Sequence, residues 1–108
     1  MFTGAVTFVN AKQYQKSKTQ TAYTSVGNAS VTCTATYDTN GATRWKASGT
    51  VSSSTLYRHV YFTIDYGKTN NTKMVATGHV TLTTAGGISG TGSTTFTAHF
   101  TGSSLYFD

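Results

Sequence analysis

The chain has 108 residues, 37% of them hydrophobic and 13% aromatic, and a formal net charge of +5. That length fits one domain around one core, taken here as residues 1–108. Eight Lys or Arg stand against three Asp and no Glu, which leaves few carboxylates for paired-acid chemistry, and no apolar run approaches the roughly 18 residues of a membrane span.

Thr and Ser number 24 and 11, about a third of the chain. Thr is β-branched and suits a half-buried pleated surface, while Ser and Gly fill turns. In chain order, "GAVTFVN" alternates as a first strand with Val6 and Phe8 on one side. "KQYQKSKTQ" then breaks the apolar alternation with long polar side chains and is expected to be a basic loop or a single helical turn. Lys12 and Lys16, four apart, disfavour a longer helix. "TAYTSV" is a short strand turned at Gly27 and Asn28. "ASVTCTATY" follows, with Cys33 in phase with Ala29, Val31, Ala35 and Tyr37, as a small core hydrophobe. A lone cysteine leaves the redox compartment open.

Asn40-Gly41 predicts a hairpin with a type I′ turn, returning through "ATRWKASGTV", where Trp45 is a core anchor between outward Arg44 and Lys46. "TLYRHVYFTIDYG" alternates with bulk on both faces. Leu56, Val60, Phe62 and Ile64 point one way, and Val60, Phe62 and Ile64 are expected to be buried with Val31, Trp45, Val80 and Phe96; Tyr57, His59, Tyr61 and Asp65 point outward, with Tyr23 expected on a neighbouring strand. "MVATGHVTLTT" is a further strand, the four-glycine stretch "AGGISGTG" a flexible turn or wide loop, "STTFTAHFTG" a strand and "SLYF" a terminal strand. Seven or eight short, evenly spaced strands predict an all-β fold, an antiparallel β-sandwich with a small barrel as the alternative.

His59, His79 and His99 recur every twenty residues on outward phases. Three imidazoles are a known zinc set, but a meander about the "TNN" and "GGIS" turns would place His79 opposite Thr97 and His99 opposite Thr77, so neither a metal nor a cofactor is expected. Asp38 belongs to a turn and Asp108 ends the sequence; no nucleophile elbow, P-loop, dinucleotide fingerprint or C-x-x-C is present, and the protein is expected not to be an enzyme. Basic residues are scattered, and nucleic acid is not an expected partner.

Tyr57, His59 and Tyr61 offer aromatic surface beside hydroxyls and amides, suited to sugar rings or to a second copy of the chain. The expectation is a non-catalytic protein, secreted or on an extracellular or particle surface, acting by binding or self-assembly. Filament or virion subunits, adhesion modules and cell-wall-binding modules all fit.

The run "YQKSKTQTA" from Tyr14 to Ala22, "RWKAS" from Arg44 to Ser48, and Tyr61-Phe62 together resemble the lactococcin-type bacteriocins over about half the chain. Those are small cationic secreted β-sandwich proteins of Gram-positive bacteria that interfere with cell-wall synthesis. The resemblance implies a cell-wall precursor as target, its anionic pyrophosphate met by Lys16, Lys18, Arg44 and Lys46.

Overall fold

The computed structural model describes residues 13–40 and 44–108; the strand expected over "GAVTFVN" lies outside them. Among the described residues seven strands follow one another: β1 Gln13–Thr24, β2 Gly27–Asp38, β3 Trp45–Ser52, β4 Tyr57–Ile64, β5 Lys73–Thr83, β6 Ser89–Phe100 and β7 Leu105–Phe107. They form two antiparallel meanders, β1-β2-β3 and β4-β5-β6-β7. The sheets pack face to face as a sandwich, and neither closes into a barrel.

Alternation explains the layers. Ala29, Val31, Cys33, Ala35 and Tyr37 are buried on β2, Met74, Ala76, Val80 and Leu82 on β5, and Phe96, Ala98 and Phe100 on β6. The residues that alternate with them are mostly Thr and Ser and lie on the outer faces. One core cluster holds Tyr37, Trp45, Met74 and Phe100; the other holds Val31, Cys33, Val80, Leu82 and Phe96. In the first, Tyr37 stacks on Phe100 with centroids 4.0 Å apart and meets Trp45 edge-on at 4.8 Å. Trp45 Nε1 donates to the Asn70 carbonyl at 2.7 Å, so the indole is buried with its one donor satisfied.

The basic stretch expected to be a loop is instead most of β1, paired along its whole length with β2 from Gln13↔Asp38 to Thr24↔Gly27. Its inward phase carries Tyr14, Lys16, Lys18 and Gln20 before reaching buried Ala22, which is why apolar alternation missed it. Among the described residues β1 is an edge strand, and long side chains there can lay aliphatic stems over the core while their polar heads reach the rim. Gln20 Nε2 donates to Thr94 Oγ1 at 2.9 Å and to the Thr95 carbonyl at 2.8 Å, Lys18 Nζ donates to the Asp108 carbonyl, and Tyr14 packs on Phe100 at 4.8 Å.

The turns also differ from expectation. The β1–β2 turn is at Ser25 and Val26, one dipeptide early, with Gly27 at a φ of 137°. Asn40 does not have positive φ, so it cannot be the first central residue of a type I′ turn. Gly41, the other residue of that expected turn, lies outside the described residues; on either side of the connection Asp38 N–H donates to the Arg44 carbonyl at 2.8 Å, and Asp38 Oδ1 accepts from Asn40 N–H at 2.9 Å. The glycine-rich stretch, expected as a flexible turn or wide loop, holds part of a short turn and the start of β6: the β5–β6 turn spans Thr84 to Ile88, closed by Thr84 N–H to the Ile88 carbonyl at 2.9 Å. Gly92 lies inside β6 because β1 crosses closely over it; a Cβ there would stand 2.2 Å from the Tyr23 carbonyl oxygen.

On β4, Val60, Phe62 and Ile64 do face the core and pack against its clusters, but half-buried, because β4 is an edge strand. Val31, Trp45, Val80 and Phe96 are buried as expected. Leu56 precedes β4 and is 78% exposed. The Phe62 ring lies over two glycines, Gly78 across the strand pair and Gly49 in the opposite sheet, where an added Cβ would come within 2.9 and 3.1 Å of it.

Candidate functional site

The outer face of the four-stranded sheet is built from short side chains punctuated by rings. Cross-strand rungs run Tyr57–Thr83–Ser89, His59–Thr81–Thr91, Tyr61–His79–Ser93 and Thr63–Thr77–Thr95. Because side chains alternate across a strand, burying Phe62 projects Tyr57, His59 and Tyr61 outward together. Tyr57 and Tyr61 are each 53% exposed.

The Tyr61 ring stacks on His79 with centroids 4.7 Å apart and planes 17° from parallel, and His59 lies 6.3 Å further along β4. His79 Nε2 is 2.8 Å from Thr63 Oγ1, which fixes the imidazole beneath the tyrosine. Beside this stack opens a shallow groove of about 370 Å³, lined by Tyr61, His79, Val80, Thr81, Thr91, Gly92 and Ser93. A flat, half-exposed ring next to three hydroxyls is a surface that offers both apolar contact and hydrogen bonds.

A second stack lies on the same face. His99 and Tyr106 have centroids 5.2 Å apart and planes at 21°, and His99 Nε2 is 2.8 Å from Asp108 Oδ1. Lys73 stands opposite His99 on β5. His79, His99, Asp108 and Tyr106 were not in the sequence-derived site. The outward phase of both histidines was legible, but their partners depended on register, and the register differs: His79 pairs with Ser93 and His99 with Lys73, not with Thr97 and Thr77. The β5–β6 turn is centred earlier in the chain, at Gly86, which shifts the pairing and separates the imidazoles further. Among the described residues no group of three His, Cys, Asp or Glu could hold a metal ion.

The remaining expected contact residues are dispersed. Tyr23 is exposed on β1, in the other sheet, and does not join the β4 rings. Asp65 follows β4 and caps the turn, accepting from Gly67 N–H at 3.0 Å. Lys16 and Lys18 lie on the inward phase of β1, whereas Lys46, paired with Thr36 on β2, lies on the outer face of the same sheet. Arg44 Nη1 donates to the Thr39 carbonyl at 2.7 Å within the β2–β3 loop. These four cations are therefore not gathered at one place. Cys33 is fully buried, and burial pushes its thiol from 9.0 up to about 11.

Comparison with protein-family models, with curated proteins and with solved structures finds no match for the chain. No helix among the described residues is long and apolar enough to cross a membrane.

Proposed function

We propose that the protein is a non-catalytic carbohydrate-binding module, secreted or displayed on an extracellular surface, and that it binds through the outer face of its four-stranded sheet. The observation that carries this reading is the half-exposed Tyr61 ring, held by its stack on His79 beside a groove rimmed by Thr81, Thr91 and Ser93. A pyranose presents an apolar C–H face and a hydroxyl edge; the ring suits the first and the rim the second. Stacking on His79 also restrains Tyr61 before any ligand arrives, which lowers the ordering entropy of binding.

The test is co-sedimentation with insoluble cell-wall polysaccharide, chitin and cellulose. The wild-type protein is expected in the pellet of at least one, with little response to added salt, and the Tyr61→Ser variant in the supernatant. Binding that weakens with salt and disappears in a Lys16→Glu, Lys18→Glu double variant would transfer the site to the cations, as the bacteriocin resemblance implies. If the protein pellets with no polysaccharide, and sedimentation velocity shows concentration-dependent association lost in Tyr61→Ser, the face is a contact between copies of the chain and the carbohydrate reading fails.

A further inference from the structure

We propose that this face takes a linear, neutral oligosaccharide lengthwise, across two aromatic platforms rather than one. The inference rests on the carbohydrate reading above. The first platform is Tyr61 on His79, between β4 and β5; the second is Tyr106 on His99, between β6 and β7. Both are imidazole–tyrosine stacks near parallel to one another within each pair, and both project from the outward phase of one sheet.

Their separation follows from the register. His99 pairs with Lys73, six residues before His79 on β5, which is ~20 Å along the strand at about 3.3 Å per residue, with two strand spacings, roughly 10 Å, across the sheet. That diagonal is too long for one sugar ring to touch both stacks. Between them lie Thr77, Thr95 and Thr97, short hydroxyl side chains that leave a ligand room to lie flat; Thr77 and Thr95 already face each other at 3.2 Å. Charge selects the class. Lys73 stands near the second platform, but so does the Asp108 carboxylate on His99, so the track has no net cationic character to favour an acidic glycan. Two linked contacts on one ligand reinforce each other, because the second forms at the effective concentration set by the first.

The experiment is NMR titration of the folded protein with neutral trisaccharides and hexasaccharides of the cello-, xylo- and chito-series. At least one hexasaccharide is expected to bind about tenfold more tightly than its trisaccharide, perturbing amides of β4–β5 and of β6–β7 together. Tyr106→Ala should reduce hexasaccharide affinity to the trisaccharide level, and Tyr106→Phe, which keeps the ring, should restore it. If hexasaccharide and trisaccharide bind equally at Tyr61, and Tyr106→Ala changes neither while its spectrum stays native, the second platform is wrong and the single-site reading survives. Should no neutral oligosaccharide bind, both readings fall.

Discussion

Cys33 shows how one residue's surroundings decide its chemistry. It sits on β2 with no exposed surface, and burial holds the thiol neutral, pushing it up to about 11. Thiolate is the reactive form, so native protein at pH 8 is expected to resist alkylation by iodoacetamide, reacting only when unfolded; rapid native labelling would show that the strand opens locally. The sign of the pH effect follows from the same shift. Between about 9 and about 11 the unfolded chain has lost this proton and the folded chain has kept it. Stability from this group is therefore complete below 9 and declines as pH rises through that window, which a series of chemical denaturations in alkaline buffers would show. Phe62 illustrates a different dependence. Its ring fills the space that Gly49 and Gly78 leave open, yet it stands on an edge strand and is half-buried. Phe62→Ala is expected to destabilise by about 3 kcal/mol, the low end for a core aromatic. Adding a methyl at Gly78, beneath the ring, should cost about 1–3 kcal/mol by overpacking.

At the scale of elements, legibility followed the composition of the inward phase. β2, β5 and the second half of β6 can be read because apolar side chains hold nearly every inward position there, Gly78 aside, and the outward placement of Tyr57, His59 and Tyr61 follows from the inward phase of Phe62. β1 could not, because Lys16, Lys18 and Gln20 occupy its inward positions and solve an edge problem that exists only in the folded sandwich. Gly90 and Gly92 looked like loop residues because the sequence does not announce that β1 will cross over them; a Cβ on either would meet Ser25 or Tyr23 within 2.6 Å. The register of β6, and with it both ring stacks, depends on where the β5–β6 turn is centred, which the same glycines leave open in the sequence. The polar bridge of β1 is testable. Gln20 closes the gap to β6 through two hydrogen bonds from one amide, and Gln20→Ala should lower stability by about 1–2 kcal/mol. Gln20→Met, which restores the stem without the donors, separates packing from hydrogen bonding: recovery of most of the loss would assign it to the stem.

For the whole molecule, the question is whether two three- and four-stranded meanders, each closed by local turns, behave as one unit. Topology alone allows either answer, since every strand pairs only with its sequence neighbours. The core decides it. Each of the two hydrophobic clusters draws residues from both sheets: Trp45 and Tyr37 join Met74 and Phe100 in one, while Val31 and Cys33 join Val80 and Phe96 in the other. Ala47 and Phe107 touch both clusters, so the two halves of the core share side chains along the sandwich. Gln20 and Lys18 add polar ties between sheets at the β1 edge. Parting the sheets would expose both clusters to water at once, and with them the apolar burial that each meander shares with the other. A single cooperative transition is therefore expected. The molecule carries its own two reporters, because Trp45, its one tryptophan, lies in the first cluster and Cys33, its one cysteine, in the second. Trp45 fluorescence and pulse labelling of Cys33 should give the same urea midpoint and the same slope. A thiol that becomes reactive at lower urea than the fluorescence transition would mean that the Cys33 end of the sandwich opens by itself. The ring stack at Tyr61 lies over that end, so such opening would leave the proposed binding face on the less stable half of the protein.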